Sequence, residues 1–215
     1  DAGDFVVAWQ SYLQDGSFYG IFGQRYSAAG TALGTEFPVN AVTDNNQVVA
    51  AVTADGVGNF VVVWEDKAAD GSDYGIFGQR FDAAGATLGS QFRANTRTTF
   101  QQRNPAIAAN DAGEFVVTWH SYDQDGSLDG VFAQRFSAAG NPAASEFQVN
   151  SYTTDRQQLS TVAADGEGRF VVAWRSHLQD GSTYGVYGRR LASLVFADGF
   201  ASADVCAWTD AVGSG

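Results

Sequence analysis

One block of sequence recurs four times without loss of register. In its first copy it reads FVVAW, then QDGS, then YGIFGQR. Trp9, Trp64, Trp119 and Trp174 stand a constant 55 residues apart, and Asp15, Asp70, Asp125 and Asp180 keep the same interval, as do Arg25, Arg80, Arg135 and Arg190. A fixed period of this length signals a repeat architecture, in which a unit buries its apolar faces against its neighbours.

Within a unit the pattern is that of short strands. Residues 5–9 are apolar at every position, as expected of a strand covered on both faces. Asp15-Gly16 marks a hairpin, because glycine takes positive φ without steric cost. Residues 19–27 form the second strand and residues 35–40 a third. Pro38 places that third strand at an outer edge. Residues 47–54, rich in alanine, form a fourth, which suits the crowded innermost position. Four antiparallel strands at this period predict an all-β fold, a four-bladed β-propeller.

Four units amount to 220 residues against the 215 present. The repeats are expected over residues 1–196, in units at about 1–46, 47–101, 102–156 and 157–196, followed by a tail at 197–215. The first unit lacks its innermost strand and the last its outermost. The tail residues Asp204, Val205, Cys206, Ala207 and Trp208 are the candidates to supply the missing inner strand. That strand would close the ring or enter a neighbouring copy, and repetition of the second arrangement would give a filament. Asp1 falls mid-pattern, and the sequence reads as a processed or trimmed product.

Composition narrows the partners. The formal charge is −12 and Lys67 is the one lysine. Such a chain is ill suited to nucleic acid or to an anionic membrane surface. No apolar run reaches the 18 or so residues of a membrane-spanning helix. Cys206 is the one cysteine, so no internal disulfide forms. An acidic extracellular surface fits, including one that meets divalent cations.

Two constellations carry candidate chemistry. Asp66, Asp70 and Asp73, and likewise Asp123, Asp125 and Asp129, could supply oxygens to Ca²⁺. The alternative for the QDGS aspartates is the hairpin turn itself. Trp9, Trp64, Trp119 and Trp174 could stack glycans between blades; the alternative is packing in the core. The repeated arginines suit a ligand carboxylate or an inter-blade bond to an acid or carbonyl. His120 and His177 fall just beyond strands, at different repeat positions. No nucleophile motif, HExxH, CxxC or P-loop is present. The regular copies show no asymmetric acidic or histidine cluster, and a non-enzymatic chain is expected.

The repeat resembles tandem units of large secreted bacterial proteins, reading roughly DGxFVVxWxSxxQDGSxYGIxGQRFxAxGxxxGxEFxVN. The resemblance spans residues 1–190, with Ala133 in place of the second glycine and Arg189 in place of the glutamine. It implies an extracellular, propeller-like structural or adhesive module. Residues 195–210 resemble a C-terminal segment of secreted bacterial proteins, DGFESGDxSAWS, through Asp198, Gly199, Phe200, Ser202, Asp204, Ala207 and Trp208. That resemblance implies sorting or attachment and departs at Ala201, Ala203 and Cys206. The function expected is a structural or adhesive subunit that self-associates; the alternative is a lectin-like propeller.

Overall fold

The computed structural model describes residues 3–191. Fourteen strands form four antiparallel sheets, and no helix occurs among the described residues. The first sheet holds β1 (Phe5–Tyr12), β2 (Tyr19–Tyr26) and β3 (Phe37–Pro38). The second holds β4 (Gln47–Ala54), β5 (Phe60–Lys67), β6 (Tyr74–Phe81) and β7 (Phe92–Arg93). The third holds β8 (Gln102–Ala109), β9 (Phe115–Tyr122), β10 (Asp129–Phe136) and β11 (Phe147–Gln148). The fourth holds β12 (Gln157–Ala164), β13 (Phe170–His177) and β14 (Tyr184–Leu191). Each sheet is a meander, and the four are the blades of a four-bladed propeller.

The apolar run FVVxW supplies two packing faces, because successive side chains point to opposite sides of a strand. Phe60, Val62 and Trp64 pack back onto Ile21 and Val39 of the first blade, while Val61 and Val63 pack forward onto Val117 and Trp119 of the third. Val116 and Val131 repeat the forward contact against Phe170, Val172 and Trp174. Burying one such side chain contributes about 1.5–3 kcal/mol. Phe60 also stacks on Phe81 across the sheet, with centroids 4.9 Å apart, and Phe115 on Phe136 at the same spacing.

Among the described residues the two end blades each keep one face open. Phe5 and Val7 are 48% and 42% exposed, whereas Phe60 is 3% exposed and Val62 is fully buried. On the opposite side of the stack, Val171 and Val186 are 47% and 83% exposed. Among the described residues no extensive strand contact joins the first blade to the fourth. The tail expected to supply a closing strand, Asp204 to Trp208, lies outside the described residues.

The third strand is shorter than the sequence suggests. Of residues 35–40, only Phe37 and Pro38 pair as a strand. The reason lies at Asn40, whose side-chain carbonyl accepts the Ile21 N–H at 2.7 Å in place of a backbone partner. Its amide donates to Gln47 Oε1 at 3.2 Å and so ties the blade to the next inner strand. Asn95 with Gln102, and Asn150 with Gln157, repeat this latch.

Each described inner strand carries a bulge near its start. Register shifts fall between Val48 and Ala51, Arg103 and Ala106, and Gln158 and Thr161. Val49, Asn104 and Leu159 have φ of 55°, 52° and 50°. Positive φ is uncommon for such residues and points to a local constraint. Gln10 Oε1 accepts the Val49 N–H at 3.0 Å, and Glu65 Oε1 accepts that of Asn104 at 2.7 Å. The preceding blade's middle strand thus holds each of these two bulges in place.

Candidate functional site

The QDGS aspartates shape loops. Asp15, Asp70, Asp125 and Asp180 each accept the N–H of the serine two residues on, at 3.0–3.2 Å. The hairpin loop runs over residues 13–18, with Gly16 at φ 89°. The second carboxylate oxygen leans over the strand glycine that follows. A Cβ on Gly75 would stand 2.7 Å from Asp70 Oδ2, and one on Gly130 would stand 2.5 Å from Asp125 Oδ2.

The calcium candidates do not converge. Among the described residues no group of three or more acidic, histidine or cysteine side chains is placed to hold a metal. Asp66 is buried within β5, where Gln47 Nε2 donates to it at 3.2 Å and Trp64 Nε1 at 3.4 Å. Burial pushes its carboxyl up to about 6. Asp73 and Asp123 are exposed. Asp125 accepts Gln148 Nε2 at 3.1 Å, and Asp129 accepts Gln158 Nε2 at 2.7 Å.

Three of the four tryptophans do not present sugar platforms. Trp64 and Trp119 are fully buried and Trp174 is 7% exposed, so their ring faces are spent on inter-blade packing. Trp9 is half-buried beside the first blade's open face. The repeated arginines reach the next blade's turn, where Arg25 Nη1 donates to the Ala84 carbonyl and Arg80 Nη1 to that of Ala139 at 2.5 Å. His120 and His177 lie inside β9 and β13 rather than beyond them.

The chemistry gathers where the copies disagree. One repeat position holds Gln10, Glu65, His120 and Arg175. Another holds Val48, Arg103 and Gln158, and a third holds Tyr19, Tyr74, Asp129 and Tyr184. Across the third and fourth blades these positions line a cavity of about 310 Å³, with Gln101, Arg103, His120, Asp129, Arg156 and Arg175 among its walls. Its walls come from the starts of β8, β10 and β12 and the ends of β9 and β13, at the bulges. In the third copy a short carboxylate, Asp129, stands where the other three carry a tyrosine ring.

Burial governs the ionisation of this cluster. The His120 imidazole is held down to about 4, first by burial and then by the Arg103 and Arg175 charges. The Asp129 carboxyl is raised by burial, against the opposing pull of Gln158 and Arg156. Glu65 lies behind Arg103 at 3.1 Å, yet its burial outweighs the ion pair and raises its carboxyl too. His120 Nδ1 and Arg175 Nε are buried without a hydrogen-bond partner. Unpaired buried polar atoms are uncommon in native proteins and call for an explanation.

No protein-family model and no curated protein matches the chain. Solved structures share its fold. A protein of unknown function from Dyadobacter fermentans aligns with a TM-score of 0.60 at 14% identity, over 87% of this chain and 49% of that one. A Hadza microbial sialidase aligns with a TM-score of 0.56 at 14% identity, over 87% and 42%. An endo-arabinase from Bacteroides thetaiotaomicron aligns at 0.49 and 16%, over 92% and 73%. The chain spans about half the length of the first two. The expectation of a non-enzymatic chain is corrected on two grounds. A solved sialidase shares the fold over 42% of its own length, and the copies bring His120, Asp129 and three arginines together where they diverge.

Proposed function

We propose that the chain is a carbohydrate-binding propeller whose ligand sits between the third and fourth blades. The carrying observation is the cavity at the bulges, where the repeat abandons its pattern and three arginines, a histidine and an aspartate converge. Cavities of a few hundred cubic ångströms with a few convergent polar groups are the usual form of small-ligand sites. The fold shared with a solved sialidase suggests the class of ligand. In the same cavity burial raises the Asp129 carboxyl above its ordinary range. The likeness to secreted repeats supports an extracellular ligand. A glycan array probed with the intact protein tests it, alongside release of reducing sugar from the hits. Binding that falls at least tenfold in His120→Ala supports the site. An empty array, or hits indifferent to that change, overturns it.

The open end faces favour a second property, self-association. The fourth blade's forward face, with Val171 and Val186, corresponds to faces that inside the stack receive a neighbour's Phe-Val-Trp row. The first blade offers that row in Phe5, Val7 and Trp9. These matching faces support head-to-tail stacking of copies. Sedimentation that shows larger species, lost in Val7→Asp, supports it; a monomer at every concentration removes it.

A further inference from the structure

We infer, resting on the glycan reading above, that the saccharide taken by this cavity carries a carboxylate, received by Arg175 and Arg156. The three arginines of the cavity are not equivalent. Arg103 is committed, with Nε 3.1 Å from Glu65 Oε2 and its guanidinium 4.4 Å from the Tyr74 ring centroid. Arg156 has its nearest carboxylate, Asp129, at 4.0 Å, and its side chain is 48% exposed. Arg175 has no ion pair among the described residues. Its Nη2 donates to Gln158 Oε1 at 2.9 Å, and its guanidinium lies 4.7 Å from the Tyr184 ring centroid. Its Nε is buried and unpartnered. Stacking and the glutamine fix the guanidinium plane while leaving donors unspent.

Charge points the same way. Three arginines face one aspartate across the cavity, in a chain whose formal charge is −12. Twelve lysines and arginines serve the whole chain, so three in one cavity is a concentration that solubility does not explain. A planar guanidinium matches a carboxylate through paired N–H···O bonds, which a sugar hydroxyl cannot match. His120 lines the same cavity and feels the charges of both Arg103 and Arg175, which with its burial keep the imidazole neutral. The volume suits one sugar unit, so the carboxylate belongs to a terminal or side residue rather than to the middle of a tightly held chain.

Uronic acids and nonulosonic acids both present this chemistry, and calorimetric titration of the full chain separates them. The probes are galacturonate, N-acetylneuraminate, galactose and acetate, each at low and high salt. One of the two acidic sugars is expected to bind at least tenfold more tightly than galactose, and to weaken with salt. Arg175→Ala and Arg156→Gln should each remove most of that advantage, and Arg175→Lys should recover part of it. Arg156 is half exposed, so its variant keeps the test valid if Arg175→Ala melts early. Galactose bound as tightly as the acids overturns the carboxylate inference and leaves the glycan reading standing. Acetate bound as tightly as the acidic sugars overturns the inference as well. No saccharide binding at all removes the glycan reading on which it rests.

Discussion

The middle strands carry one residue four times at their start and four different residues near their end. Phe5, Phe60, Phe115 and Phe170 occupy the first position; Gln10, Glu65, His120 and Arg175 occupy the sixth. The phenylalanines after the first are 1–3% exposed, wedged against the blade before. Any change there opens a void in two blades at once. At the sixth position Gln10 and Glu65 reach the next blade's bulge and accept a backbone N–H, Glu65 also holds Arg103, and His120 and Arg175 line the cavity. Several chemistries satisfy that setting. Invariance therefore marks packing in this molecule, and divergence marks room for function.

Breaking the invariant end gives the largest effect. Phe60→Ala should cost about 3–5 kcal/mol, from lost transfer energy and the cavity left behind. Phe5→Ala, on the open face, should cost about 1 kcal/mol or less. Urea denaturation of the pair measures the difference. Equal losses would mean that the first blade's face is covered in solution.

The divergent end is sharpened by pH. His120 titrates near 4 in the fold against about 6.5 unfolded. Below about 6.5 the unfolded chain therefore holds the extra proton, and stability falls as pH drops toward 4. Asp66 titrates near 6 in the fold, above its ordinary 3.8. Between those values the folded chain holds the extra proton, and stability rises as pH drops. The two slopes, each about 1.4 kcal/mol per pH unit, oppose one another over pH 4–6. Asp66→Asn should therefore make the protein more acid-sensitive than the parent, and His120→Gln less so. Melting curves from pH 4 to 7 give the sign of each change. Parallel profiles for both variants and the parent would refute the assignment.

A smaller effect is expected at a repeated glycine. Gly75→Ala brings a methyl within 2.7 Å of Asp70 Oδ2 and should cost about 1–2 kcal/mol. Most of that penalty should vanish in the background of Asp70→Ala, as a double-mutant cycle would show. By contrast Gly78→Ala should be mild. The third copy already carries Ala133 there, and the obstacle at Gly78 is the far edge of the Phe92 ring at 2.6 Å.

Much of the fold was legible because strand period and repeat period are both properties of the chain taken locally. The inner strand at residues 47–54 matches the expectation to the residue. The edge strand at residues 35–40 was overread, since a backbone pattern does not reveal that the Asn40 side chain takes over its hydrogen bonding. The cavity was missed for a different reason. Weighing what the copies share draws attention to Asp15, Arg25 and Trp9, which serve turns and packing. Written one above another, the copies would have exposed the column of Gln10, Glu65, His120 and Arg175. What no column shows is that Arg103 and Arg156 come to the same place, because that depends on how blades stack.

The open faces have a bearing on how the molecule comes apart. Among the described residues each middle blade is gripped from both sides and each end blade from one, so the described stack behaves as a one-dimensional array with nearest-neighbour coupling. Fraying from either terminus should then precede rupture at the centre. Amide exchange would read as a gradient, slowest in β5 and β9 and faster in β1 and β14. The cavity straddles the third and fourth blades, one of which is an end blade. An occupant bridging the two would clasp the looser blade to the firmer one, and occupancy would register as slowed exchange in β13 and β14.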